Sequence, residues 1–162
     1  MAMFLIAGSF RIKGAQPDGD SIRFAPDDPA KWDLITGTRV KRNASGAAQL
    51  RLDLIDALET LYGTPRTHQP LDLAHAAASE LLDWLGFSNV VRAQDETVTS
   101  STPDTVAGYI LTRAADLYGR CISLVGRGDP PSDDGSSVFV DVDALRTTAN
   151  HHLIKQGLAY PT

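Results

Sequence analysis

Three short stretches hold the residues best suited to chemistry: Asp18-Gly19-Asp20-Ser21, then Arg51-Leu52-Asp53-Leu54-Ile55-Asp56-Ala57-Leu58-Glu59-Thr60, then Tyr118-Gly119-Arg120. They supply acidic residues for a hard cation, one further carboxylate and two guanidinium groups. That inventory suits attack on a phosphodiester, where a divalent metal and two Arg clamps hold the negative charge that grows in the transition state. Each part also has a plainer reading. Asp-Gly is a common hairpin turn. Asp56 with Glu59 three residues on has the spacing of a helix N-cap and its N3 partner. Arg51 alone would be a solvated strand residue, and Arg120 a solvated residue beside a turn.

The chemical reading needs the parts to converge. Asp56 would join Asp20 on a metal such as Ca²⁺, with the Ala57 backbone carbonyl as a third ligand and room left for waters and a phosphate oxygen. Glu59 would stand off the metal. Arg51 and Arg120 on one site would give bidentate phosphate contacts that Lys cannot match. Other candidates are weaker. His151 and His152 are neighbours on a helix, pointing about 100° apart, so they share no ligand site and read as structural or surface residues. Cys121 lies in the apolar run Cys121-Ile122-Ser123-Leu124-Val125 and reads as a buried, inert thiol. There is no Cys/His zinc pattern, no phosphate-binding glycine loop before a helix and no Gly-x-Ser-x-Gly elbow.

The elements that must position these residues follow from patterning. Strand formers fill 3–15, with a turn at Pro17-Asp18-Gly19. Residues 20–25 alternate, which puts Asp20 on the face of Ile22 and Phe24, towards the core at the strand's open end. Residues 26–46 hold two Pro, two Gly and the basic residues Arg39, Lys41 and Arg42, and read as a long excursion with a short hairpin around Gly37. Residues 47–55 form a third strand, with Leu50, Leu52 and Leu54 on one face and Arg51 on the other. Residues 71–85 have helical apolar spacing, opened by Pro70 and closed by Gly86. Residues 92–103 and 128–137 read as polar loops. Strands at 106–115 and 120–126 flank a turn at Asp116-Leu117-Tyr118-Gly119, and a last helix spans 143–156. Three strands, a helix, two strands and a helix predict a mainly β (α+β) domain, a five-stranded Greek-key OB-fold barrel with two helices.

The 162 residues fit one domain, and 43% hydrophobic with 22% charged residues is an ordinary globular balance. The net charge of −5 is the wrong sign for a broad basic nucleic-acid surface, so attraction to nucleic acid must be local, through a few Arg and Lys residues and a bound cation. No stretch reaches the ~18 apolar residues of a membrane span. The run Met3-Phe4-Leu5-Ile6-Ala7 is too short for a signal peptide and has no basic flank, so the chain reads as soluble, cytoplasmic unless a leader was removed.

In order and residue type these stretches resemble the thermonuclease (staphylococcal nuclease-like) family, together with a closing Leu153-Ile154-Lys155-Gln156-Gly157-Leu158-Ala159 like that family's helix end. The resemblance runs from about Lys13 to Tyr160, with gaps. It implies Ca²⁺ at Asp20, Asp56 and the Ala57 carbonyl, the scissile phosphate at Arg51 and Arg120, the attacking water at Glu59 as general base, and a terminal phosphate at Tyr118. The implied activity is hydrolysis of DNA or RNA, leaving 3′-phosphates. A non-catalytic OB-fold binding module built on the same frame is the alternative. Departures are Ala57-Leu58 where the family has Thr-Pro, longer stretches at 26–46 and before Tyr118, and an end at Thr162 where the family continues with tyrosine-bearing residues and a last helix. The resemblance thus implies a domain without that helix, or one whose last helix lies outside this chain.

Overall fold

The computed structural model of the protein describes residues 2–57 and 71–162. In chain order the elements are β1 (Ala2–Arg11), β2 (Ser21–Pro26), a 3₁₀ helix (Pro29–Leu34), β3 (Ala48–Leu52), β4 (Ile55–Asp56), α1 (Leu71–Leu85), β5 (Ser88–Arg92), β6 (Val98–Thr102), β7 (Thr105–Ala115), β8 (Cys121–Arg127), β9 (Ser137–Phe139), α2 (Val142–Leu145), α3 (Ala149–Lys155) and β10 (Tyr160–Pro161).

Five strands close on themselves. β1 pairs antiparallel with β2, β2 antiparallel with β3, β3 parallel with β8, β8 antiparallel with β7, and β7 antiparallel with β1. Closure leaves these strands no free edge, and the result is a barrel compatible with an OB-like fold. Inward-facing residues alternate along each strand: Ile6 and Phe10, Ile22 and Phe24, Leu50 and Leu52, Ile110, Cys121 and Val125 are all buried. Phe10 packs on Phe24 at 5.1 Å between ring centroids, and Trp32 caps Phe24 edge-on at 6.3 Å. Close approach of strands demands Gly8, where a Cβ would sit 2.1 Å from the Ala25 carbonyl oxygen. A smaller apolar cluster of Met3, Leu5, Tyr109, Leu111 and Leu124 lies outside the main core, against Val138 and Leu145.

The expected barrel strands match β1, β2, β3, β7 and β8, and the expected helix at 71–85 is α1. Four expectations need correction. The third strand ends at Leu52, because Leu54 takes a left-handed φ of 66°. The alternation therefore breaks: Leu54 is 39% exposed and Ile55 enters the core instead. The excursion 26–46 carries a 3₁₀ helix, capped by Asp28 and anchored by Trp32, whose indole N–H donates to the Gly46 carbonyl at 2.8 Å; no strand forms around Gly37. The polar segment 92–103 is no loop, since β5 and β6 pair there as an antiparallel hairpin. The last helix is two, α2 and α3, parted by Thr148, which N-caps α3 by accepting the His151 N–H. No helix among the described residues is long and apolar enough to cross a membrane.

Candidate functional site

Asp20 and Arg51 are brought together by strand register. Ser21 of β2 faces Arg51 of β3, and the Leu52 N–H donates to the Asp20 carbonyl at 2.8 Å. The side chains then meet: Arg51 Nη1 lies 3.4 Å from Asp20 Oδ2, and Arg51 Nη2 lies 3.4 Å from Asp56 Oδ1. Asp56 reaches this point because the left-handed turn at Leu54 folds the chain back before β4, which pairs with β10 through Asp56 and Tyr160. The Ala57 N–H donates to Asp20 Oδ2 at 3.0 Å. One guanidinium thus bridges two carboxylates at one end of the barrel. Glu59 lies outside the described residues.

Asp20 is only 6% exposed. Burial pushes its carboxyl up from 3.8 to about 6, against the Ala57 N–H and Arg51, which pull it down, and with Asp18 and Asp56 adding repulsion. The protein's own cations therefore leave this carboxylate under-compensated. Among the described residues no group of three His, Cys, Asp or Glu side chains is close enough to hold a metal. Two carboxylates and a backbone carbonyl are the donor types a hard cation prefers, and here the Arg51 guanidinium contacts both carboxylates.

Arg120 arrives from the β7–β8 hairpin. Asp116 organises that turn: its Oδ1 accepts from the N–H groups of Tyr118 and Arg120, each at 2.9 Å, and its Oδ2 lies 2.7 Å from Arg120 Nε. Burial alone would push the Asp116 carboxyl up, but these Arg120 and Tyr118 contacts outweigh it and hold it below the ordinary value. Gly119 is required twice over, by its φ of 81° and by Lys41, whose Cβ would meet a side chain there at 2.7 Å. The Lys41 N–H donates to the Gly119 carbonyl, so the basic segment of the excursion packs directly on this turn. The Tyr118 ring is exposed and stands 5.6 Å from the Arg120 guanidinium carbon.

The two Arg residues share one open cleft of about 390 Å³, lined also by Asp53, Asp116, Leu117 and Tyr118. Asp20 and Asp56 join it through Arg51. Arg51, Tyr118 and Arg120 thus line one cleft, while Asp20, Asp56 and Ala57 do not line it and meet it only through Arg51. Sequence reasoning did not nominate Asp116 as a partner of Arg120; its signal is an Asp two residues before the first turn amide it accepts. Cys121 is fully buried, and burial pushes its thiol up to about 11, which fits an inert core residue. No protein-family model matches the chain, and no curated protein is significantly similar to it.

Proposed function

We propose that this chain is a Ca²⁺-dependent nuclease of thermonuclease type on a Greek-key OB-fold barrel, hydrolysing phosphodiester bonds of DNA or RNA. What supports the reading is the gathering of Asp20, Arg51 and Asp56 at one barrel end, with Arg51, Tyr118 and Arg120 lining one cleft. A divalent ion held by Asp20, Asp56 and the Ala57 carbonyl would replace the charge now drawn from Arg51 and polarise a phosphate oxygen.

The chain's own groups do the rest. Arg51 and Arg120 clamp the non-bridging oxygens and hold the charge that builds on them. Asp116 keeps the Arg120 guanidinium oriented, so less freedom is lost when phosphate binds. Tyr118 offers a hydroxyl to a terminal phosphate. Glu59 takes the proton of the attacking water as it forms its bond to phosphorus. The opposite P–O5′ bond breaks in line, the 5′-oxygen leaves as a hydroxyl after taking a proton from solvent, and the phosphate stays on the 3′ side.

A second reading has one specific observation behind it. Each guanidinium is already engaged by carboxylates, Arg51 by Asp20 and Asp56 and Arg120 by Asp116. That suits a silent binding module as well as a resting enzyme. Degradation of plasmid DNA and of RNA with Ca²⁺ against chelator separates the two. The enzyme degrades at least one substrate only with Ca²⁺, and Glu59→Gln abolishes most turnover while leaving calorimetric Ca²⁺ affinity largely intact. Absence of cleavage together with absence of Ca²⁺ binding, nucleotide present, overturns the nuclease reading.

A further inference from the structure

At the far end of β8 from Arg120 lies a second cleft, of about 550 Å³, between the end of α1, the start of β7 and the α2–α3 corner. Among the described residues its lining includes Trp84, Arg127, Arg146, His151 and Lys155 and no carboxylate residue. In a chain of net charge −5 that is a concentrated positive surface. Arg127, Arg146 and Lys155 are exposed. Arg146 has one carboxylate neighbour, Asp143 at 3.8 Å, but both side chains are largely solvated and the pair is weak.

The cleft also has a built stacking unit. The Arg127 guanidinium carbon sits 4.4 Å from the Trp84 ring centroid, and its Nη1 donates to the Trp84 carbonyl at 3.0 Å. Ring and carbonyl together fix the guanidinium beside the indole. The His152 ring stacks with Trp84 at 6.0 Å and 30°, and is itself fixed by Glu80, 2.7 Å from its Nε2. The result is a tier of planar groups with an exposed guanidinium at its cleft edge. An acidic peptide would need the charges but not the tier.

We propose that this cleft binds single-stranded nucleic acid, with a base stacked on the Arg127–Trp84 tier and neighbouring phosphates held by Arg146 and Lys155. This goes beyond the catalytic reading and holds for an enzyme or a silent module alike. The chain's overall charge repels nucleic acid, and this surface supplies the local attraction without a metal. Arg127 lies seven positions after Arg120, roughly 20 Å along β8.

The test is binding of a thymidine deoxyoligonucleotide in chelator, where no cleavage occurs, to wild type and to an Arg51→Ala/Arg120→Ala variant that removes the other cleft's phosphate contacts. Trp84 fluorescence reports locally, because Trp32 is buried in the core. Binding with a fluorescence change in both proteins is expected. Arg127→Ala should weaken it about tenfold or more. Arg146→Glu/Lys155→Glu changes only exposed side chains and should lower the log–log salt slope by about 1.4 or more. Circular dichroism checks that each variant is folded. The proposal is overturned by an abasic oligomer of equal phosphate count binding as tightly, by polyglutamate competing equally well, or by the absence of metal-free binding. Failure of the nuclease assay with this binding intact leaves the inference standing.

Discussion

The two ends of β8 hold arginines in opposite ways. At the Arg120 end, guanidinium groups are fixed by carboxylates: Arg120 by Asp116, Arg51 by Asp20 and Asp56. At the Arg127 end, the guanidinium is fixed by an indole ring and a backbone carbonyl, with no carboxylate lining the cleft. Both devices remove side-chain freedom. Only the second, at Arg127, does so without a carboxylate among the described residues. The first end sets two guanidinium groups against three carboxylates and keeps no surplus positive charge, whereas the second keeps the charge of Arg127 on an exposed side chain. On the proposed reading, an acidic chain would approach nucleic acid through this local charge, without a broadly basic surface.

The sharpest way to break the comparison is to remove an arginine from the first end. Arg51→Ala or Arg120→Ala should lower turnover roughly 10²–10³-fold, the scale of losing one transition-state donor. Oligonucleotide binding in chelator should change little. Equal losses in both measurements would mean that the two ends do not divide the work.

Next in size is the buried carboxylate. Asp20 has a folded-state value of about 6 against 3.8, so the folded protein binds its proton more readily than the unfolded chain does. The stability it contributes is present at low pH and is lost as pH rises from 3.8 through about 6. Across that window the loss is up to about 3 kcal/mol, from roughly two units at about 1.4 each. In chelator, Asp20→Asn should match wild type near pH 4 and be the more stable protein above pH 6, while its Ca²⁺ response falls away. Urea unfolding at the two pH values checks this. A variant less stable at pH 7 would show that Arg51 compensates Asp20 fully.

A smaller effect is expected from the hairpin that braces the Asp20 loop. Arg92 Nη2 donates to the Pro17 carbonyl at 2.8 Å, and Arg92 faces buried Glu96, which also bonds His75 Nε2 at 2.9 Å. Arg92→Met should destabilise by about 1–3 kcal/mol through the partners left unsatisfied. It should also weaken Ca²⁺ binding several-fold, and thermal melts with and without Ca²⁺ read both. The smallest expected change comes from Arg39→Glu/Lys41→Glu beside the Gly119 turn. Activity should fall a few-fold at low salt and recover at high salt. A salt-independent loss would assign these residues a structural role instead.

How much of this was legible in the sequence depended on the kind of signal. Barrel strands announced themselves by alternation, because each presents one face to a closed core; Ile22 and Phe24 or Leu50 and Leu52 are typical. The α1 helix was readable from its apolar spacing and Gly86. The β5–β6 hairpin was not, since its residues are largely Ser, Thr and Asn with mostly solvated faces, and its turn uses Glu96 at a φ of 72° where glycine would have advertised it. The break after Leu52 was hidden for the same reason, by Leu54 in the left-handed region. Of the candidate site, the residue types were legible and the pairings were not. Nothing in the order Asp20, Arg51, Asp56 says that one guanidinium bridges two carboxylates, because that depends on register. The Arg127–Trp84 tier joins residues from α1 and β8 and left no local pattern at all.

The parallel pairing of β3 with β8 has a kinetic consequence. Leu50 with Cys121, Arg51 with Ile122 and Leu52 with Ser123 are its register pairs, joining strands on either side of α1 and the β5–β6 hairpin. Closing so long a loop costs entropy before any contact repays it, so such seams form late in folding. Arg51 and Arg120 face each other only across this seam. During synthesis the chain can pair β2 with β3, and so join Asp20 to Arg51, long before Arg120 is made. The cleft that Arg51 and Arg120 share is thus completed only when this seam closes.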